Sequence, residues 1–444
     1  MGINCLLIST NQVEEPYPVY PLGVAHLMGA LEAGGHSSKH FDLLAGGGTE
    51  ALAGFLQDSS FDLICLSIRN IDTMDCNCPH HLLGDTQKTM AIIRRSSGAP
   101  VVVGGPAFSI MPEEIMELIQ ADYGVVGEGE SALVRLADSM ERGTAIAKGI
   151  IHPRPRKYPW RQTAYQKENM AYYLRNGGML NIQTKRGCPY RCAYCSYPNL
   201  EGRHYRFRDP EEVADEVRRL NLELGADYIF FSDSTFNDNQ DHFLQVAEAL
   251  IKNDNHVPWC AFFRPRNLSA GALALMKKAG LAAMEMGTDA ACDRTLEGLG
   301  KGFTFGEVID NHELTVAQNI PCAHFIIFGG PGEDRDTIKE GLANLDRLRN
   351  TVVFAGAGIR ILPGTEIYKK ALAEGLVGQN QSLLDPLFYF SPGISREEVD
   401  QELKNAWQKR FDRVYPFMGM QQRINHLHKK GYKGPVWDNL LVRR

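Results

Sequence analysis

Three cysteines crowd one stretch of the chain, KRGCPYRCAYCSYPN (185–199): Cys188, Cys192 and Cys195. Thiolates suit zinc, copper(I) and iron–sulfur clusters. At spacings of four and then three, with no fourth cysteine nearby, these leave one coordination position open. Structural zinc usually takes two separated ligand pairs, and no matching pair follows here. A cubane cluster has four irons, so three cysteines would leave the fourth iron free for a small molecule. Zinc completed by a distant histidine is the alternative. Gly187 and Pro189 help so short a loop to turn. A second ligand-rich stretch, IRNIDTMDCNCPHHLLGD (68–85), holds Cys76, Cys78, His80 and His81. These are candidates for a second metal, but a loop facing a cofactor or substrate is the favoured reading. Most of the other cysteines lie in apolar runs, where a buried free thiol is ordinary.

The elements that must carry these loops are of the α/β kind. With 444 residues, two or three domains are expected. Strand-like runs INCLLIS, DLICLSI, PVVVGG and DYGVVG fall within the first 140 residues. Amphipathic segments at 23–33, 86–96, 112–119 and 131–140 alternate with them, as in a doubly wound, Rossmann-like domain. Its glycines fall just past the strand ends, at the edge where open α/β sheets bind ligands. Residues 141–175 are basic, proline-dotted and aperiodic, and read as a linker. A second series of strands follows at 180–184, 227–232, 258–263, 282–287, 321–328 and 352–361. Six such units suit a partial (β/α)6 barrel over 176–375 with its site at the strand carboxyl ends, where the cysteine loop would sit. The helix at 209–224 has Asp209 as cap and Pro210 in its first turn. Residues 376–444 form a small extension with one helix-like segment, and no separate fold is assigned to it.

Composition narrows the partners. An apolar fraction of 44%, a charged fraction of 23% and a net charge of −6 describe a globular chain without a general basic footprint. Nucleic acid is therefore disfavoured. No apolar run reaches the ~18 residues of a membrane span, and the first residues lack the basic start of a secretion signal. Ten cysteines without such a signal point to the reducing cytoplasm.

Around the cysteine motif and its Tyr194, three further stretches complete a pattern: MEMGTDAACDRTLEGLGKGFT (284–304), FIIFGGPGEDRDT (325–337) and IRILPGTEIY (359–368). Before it stand YPLGVAHLMGALEAGGH (20–36), VVVGGPAFSIMPEE (101–114) and VVGEGES (125–131). In this order they resemble the cobalamin-binding branch of the radical SAM superfamily over nearly the whole chain. The resemblance implies three cofactors: a 4Fe–4S cluster on Cys188, Cys192 and Cys195, S-adenosylmethionine chelating its open iron, and cobalamin on the first domain. It carries Tyr194, Asp289 and Glu333 over as cofactor contacts, with Asp289 standing where the family often has the longer glutamate. Arg264 and Arg360 are candidates for carboxylate or ribose oxygens, because a guanidinium grips oxygens bidentately; a salt bridge is the alternative for each. Leu22, Gly23, Ser67, Ile68, Arg69, Asn70, Gly104, Gly105, Pro106, Ala107, Gly127, Glu128, Gly129 and Glu130 are the candidates to line the corrin. The hexapeptide that supplies a lower cobalt histidine in methionine-synthase-like domains is missing; His36 and His40 lack the required aspartate, so no such ligand is expected.

The implied activity is functionalisation of an unactivated carbon, foremost C-methylation of a small or lipid-like substrate through methylcobalamin and a 5′-deoxyadenosyl radical. Flavodoxin or ferredoxin would be the external electron donor. A radical cyclase or ring-rearranging enzyme with the same cofactors is the alternative. A transfer-RNA methylthiotransferase fits poorly, since its further cluster cysteines and basic tail are not found. SIRNID and LLDPLFYFSP are similar to a subgroup associated with lipid biosynthesis.

Overall fold

In the computed structural model, residues 2–144, 146–153, 162–416 and 421–441 are described. Two parallel sheets account for the core. The first contains β1 (Asn4–Ser9), β2 (Ser37–Asp42), β3 (Leu63–Ser67), β4 (Val101–Gly104), β5 (Tyr123–Val125) and β6 (Gly149–Ile151), in the order β2-β1-β3-β4-β5-β6. Every pairing in it is parallel. The order reverses between β1 and β3, which opens a ligand crevice at the strand carboxyl ends there. Two of its members differ from the sequence reading. β2 is an edge strand of alternating burial and polar residues, SSKHFD, without the apolar run that marks a buried strand. β6 lies inside the stretch read as linker, so the first sheet extends past residue 140 to Ile151. The same stretch starts the helix Lys167–Gly177, and its residues 154–161 lie outside the described residues.

The second sheet runs β17-β14-β13-β12-β11-β10-β7. Its strands are β7 (Leu180–Ile182), β10 (Ile229–Phe231), β11 (Trp259–Phe263), β12 (Leu281–Asp289), β13 (Cys322–Phe328), β14 (Val352–Ala357) and β17 (Arg413–Val414). Six follow the expected βα series in chain order. The seventh, β17, comes from the tail and pairs parallel with β14. Between β7 and β10 lies a hairpin, β8 (Lys185–Arg186) and β9 (Arg206–Phe207), which brackets the cysteine loop. A second short pair joins β15 (Ile359–Arg360) to β16 (Phe388–Tyr389). Asp209 caps the helix Pro210–Leu224 as expected, accepting from the amides of Glu211 and Glu212.

Inner and outer faces of the barrel are read from alternation. Met284 and Met286 of β12 pack with Trp259, Ala261 and Phe263 beneath the outer helices. Ala283 falls instead in a cluster with Tyr228, Phe230, Cys260, Phe354, Trp437 and Leu440, near the amino-terminal ends of the strands. The tail's short helix Trp437–Leu440 thus plugs the base of the barrel, and Tyr17 of the first domain packs against the same cluster.

Loops at the carboxyl edges of the two sheets meet. Helix Pro106–Ile110 packs on Tyr197–Leu200. Arg186 pairs with Glu130 at 2.7 Å and with Glu128 at 3.4 Å, and Arg206 also grips Glu128. Arg360 Nε donates to Asp72 at 2.8 Å, both side chains being almost wholly buried. Removing one member of such a pair strands a buried charge, which costs about 3–5 kcal/mol. Asp72→Ala should therefore lower the unfolding free energy by about that amount. The double variant Asp72→Leu/Arg360→Met should recover most of the loss, as read by denaturant titration of the apoprotein.

Candidate active site

The cysteine loop is fixed before any metal arrives. Lys185, fully buried beneath it, lies 3.3 Å from Asp233 and from Asp238 and donates to the Phe236 carbonyl at 2.7 Å. Asp233 also accepts from the Thr184 amide and hydroxyl, locking the end of β7 to the end of β10. Gly187 has φ +91°, and a Cβ there would lie 2.1 Å from the His204 carbonyl oxygen, so only glycine fits. The amide of Cys188 donates to Gly202 O, and that of Ala193 to Leu299 O. Cys188 is buried, whereas Cys192 and Cys195 are half-buried.

Burial holds the Cys195 thiol up at about 12, the neighbouring cysteines adding to it while Lys301 works in the opposite direction. Sulfurs around one zinc ion stand about 3.8 Å apart. Among the described residues, sets of three ligand atoms mutually within 4.8 Å occur at His312, Cys322 and His324 and at His36, Asp138 and Glu141, and the three loop cysteines are not such a set. The loop cysteines thus show no preassembled single-ion site. Cys76, Cys78, His80 and His81 do not form such a set either. Cys76 is packed in the core and Cys78 is exposed, so the second metal considered for this stretch has no assembled site.

Beside the loop, Asp289 ends β12 in the left-handed region at φ +66°, unusual for a non-glycine residue. Its carboxylate accepts from the Tyr194 hydroxyl and pairs with Lys301, which is buried. Burial opposes the charge of Lys301, yet Asp289 and Cys192 leave its pKa raised. Burial, then Asp289, pushes the Tyr194 hydroxyl far up. Arg264 donates to the Lys301 carbonyl, and its guanidinium stacks 3.7 Å from the Tyr190 ring centroid and 5.0 Å from that of Phe303. The structure thus brings Tyr194, Asp289 and Arg264 together with Lys301. In the sequence this lysine lies within a motif stretch but carries no assigned role; its spacing of twelve from Asp289 is the available signal.

Two expected contacts lie elsewhere. Arg360 is committed to Asp72 and to the carbonyls of Ile361 and Leu383, because its strand faces the first domain. Glu333 turns back on its own loop, accepting from the Gly329 amide and the Thr337 hydroxyl.

The corrin candidates also divide. Gly23 is exposed, and a Cβ added there would meet nothing within 4 Å, which makes it an open platform at the crevice. Leu22 is buried beside it. Ile68 and Ala107 are core residues, the Ala107 amide donating to the Ile68 carbonyl at 3.1 Å. Gly105 has φ +99°, and a Cβ there would lie 2.5 Å from Ile68 O, so its glycine serves loop packing. Gly104 is half-buried, a Cβ added there would lie 3.4 Å from Val125 O, and Pro106 is exposed. The Gly127 amide donates to Ser109 Oγ at 2.8 Å, and Gly129 packs near Leu27. Glu128 and Glu130 face the barrel's arginines instead of the crevice. The Ser67 carbonyl accepts from Thr10, and Asn70 donates to Asn11 at 3.1 Å. Arg69 is accessible although protein surrounds it; burial lowers its pKa while Tyr197, Tyr173 and Tyr17 support its charge. His36 bonds to the Ile3 amide and Asp138, and His40 to Ser9 and Asn169, so both are occupied in the fold.

Comparison with known proteins assigns both halves. A model of the radical SAM superfamily matches residues 182–345, and one of the B12 binding domain matches residues 13–137. The chain belongs to the cobalamin-binding radical SAM enzymes. Its cofactors are a 4Fe–4S cluster, S-adenosylmethionine and cobalamin. It is similar to a tryptophan 2-C-methyltransferase of Streptomyces laurentii, 24% identical over 83% of this chain and 74% of that one. An uncharacterized methyltransferase of Pyrococcus horikoshii is 26% identical over 87% of this chain and 86% of its own. The fold matches that of the radical S-adenosylmethionine methyltransferase TsrM from Kitasatospora setae, solved with cobalamin and a 4Fe–4S cluster, at a TM-score of 0.87 and 23% identity. That match covers 99% of this chain and 97% of TsrM.

Three outcomes test the residue assignments. Anaerobically reconstituted protein should hold about four irons per chain by metal analysis, and the Cys188/Cys192/Cys195 triple alanine variant should hold none. Gly23→Leu should fold normally but take up less hydroxocobalamin, measured by absorption after desalting. Burial raises the Glu333 carboxyl from the usual 4.5 to about 7. An acid raised in the folded state stabilises below its unfolded pKa and loses that contribution as pH rises through the folded value. Glu333→Gln should therefore flatten the fall in thermal midpoint between pH 4.5 and about 7.

Proposed function

We propose that this enzyme methylates an unactivated carbon of a small molecule with an apolar body, lipid-like ring systems included. The observation that carries this reading is the opposition of the two ligand-binding edges. Arg186 and Arg206 with Glu128 and Glu130 bring the cysteine loop, with Asp289 and Lys301 beside it, up to the sheet edge that carries Gly23 and Arg69. A single substrate atom can then be reached from both sides. The two similar methyltransferases favour methyl transfer over other outcomes of the same chemistry.

When bound, the cluster with S-adenosylmethionine supplies a carbon radical, and cobalamin supplies a transferable methyl group. The chain's residues bind, orient and insulate. Cys188, Cys192 and Cys195 hold the cluster. Lys301, kept charged by Asp289, and Arg264, stacked on Tyr190, offer N–H donors to a carboxylate. Tyr194 fixes the Asp289 carboxylate on the loop that carries the cysteines, so donors and ligands share one frame. Gly23 leaves room for a flat macrocycle against the helix start. Phe262, an exposed ring on an internal strand, offers apolar surface inside the barrel. No helix among the described residues is long and apolar enough to cross a membrane. The reading includes an external one-electron donor of the flavodoxin or ferredoxin type and a reducing cytoplasm, supported by ten free cysteines.

Deuterated-methyl S-adenosylmethionine decides the reaction type. Methyl transfer predicts a product heavier by the labelled methyl, with S-adenosylhomocysteine and 5′-deoxyadenosine in about equal amounts. An altered product without label would assign ring formation or rearrangement instead. Lys301→Met should weaken S-adenosylmethionine binding with iron content unchanged, as followed by equilibrium dialysis.

A further inference from the structure

On the inner wall of the barrel stands a carboxylate that the cofactor assignments leave unused. Glu285 stands between Met284 and Met286, which face the outer helices, so it points inward. It is 3% exposed. One oxygen accepts from Trp437 Nε1–H at 3.0 Å. Among the described residues its other oxygen has no hydrogen-bond donor. A carboxylate offers about four lone-pair sites, and burying it with one donor is costly. Its pKa accordingly rises to about 7, burial outweighing the indole N–H.

Its neighbour across the sheet is Phe262, in register on β11. Phe262 is 42% exposed, while every other residue of β11 is buried. β11 lies between β10 and β12, so this exposure opens into the barrel and not onto an outer edge. Phe230 meets the ring edge-on at 4.9 Å between centroids. An accessible aromatic face therefore adjoins a buried acceptor short of a donor.

We propose that Phe262 and Glu285 form the subsite for the substrate body, selecting a small molecule whose apolar ring carries a hydrogen-bond donor, N–H or O–H. The ring packs on Phe262 and the donor completes Glu285. A plain hydrocarbon is rejected there, because it would leave the carboxylate oxygen both dry and unpaired. The assignment rests on the small-molecule reading above and narrows it. It does not depend on whether the carbon gains a methyl group.

Ligand-observed NMR with full-length reconstituted protein tests it, using two matched probe pairs: indole against 1-methylindole, and 2-naphthol against naphthalene. Wild-type protein should bind the donor-bearing member of at least one pair about tenfold more tightly; which pair responds identifies N–H or O–H as the preferred donor. Glu285→Leu, which removes the acceptor oxygens, should bring that ratio to about one, with iron content and cobalamin uptake unchanged. Phe262→Ala should weaken all four probes together. Trp437→Phe should keep the ratio, since it removes only the tail's own donor to the carboxylate. Ratios near one in the wild type, or a ratio that survives Glu285→Leu, would overturn the subsite. A Glu285→Leu variant that loses thermal stability but keeps its probe preference would give the residue a purely structural role and overturn it equally. Failure of the isotope experiment with the probe ratios intact would refute methyl transfer alone.

Discussion

Everything in this molecule depends on two parallel sheets turning their carboxyl edges toward each other. Those edges are where turn amides and helix starts are free to hold ligands, and each alone would be an ordinary binding crevice. What makes them one site is charge buried between them. Glu128 and Glu130 leave the end of β5 to meet Arg186 and Arg206 of the hairpin around the cysteines. Asp72 leaves the end of β3 to meet Arg360. A charge withdrawn from water needs its partner at close range, so the two edges have little freedom to slide. The corrin crevice and the cluster loop are positioned by the same contacts.

A second layer of order lies within the barrel. Lys185 with Asp233 and Asp238 fixes the root of the cysteine loop, and Lys301 with Asp289 and Tyr194 fixes its flank. In both places a lysine that would be costly to bury is held by carboxylates from neighbouring strand ends. The loop's root and flank are thereby held in place by buried ion pairs.

The chemistry-bearing motif is legible in the sequence because its information is local: three thiols, a glycine and an aromatic within a dozen residues. Most buried strands are legible too, since both of their faces are covered and they read as continuous apolar runs. β2 escapes because an edge strand with polar alternation looks like a loop, and β6 because three residues inside a basic stretch carry little pattern. Arg360, Glu128 and Glu130 read as ligand contacts, yet they serve the domain interface. Arg360 and Asp72 are 288 positions apart, and nothing in the local sequence of either announces the other. Glu285 is more accessible to inspection: an acid within the apolar run AAMEMG is rare enough in a core strand to be a signal by itself.

The closing of the barrel base by Trp437 has a consequence for how the protein is made. Glu285 and Trp437 are separated by 152 residues, so their contact closes one of the longer loops in the chain. During synthesis from the amino terminus, all six strands of the βα series emerge before the segment that plugs them. The nascent barrel therefore passes through a stage with an open floor, its aromatic lining and its carboxylate wetted from below. The floor closes only when the tail docks and Trp437 reaches Glu285, so the last residues to be made complete the wall that the first strands began.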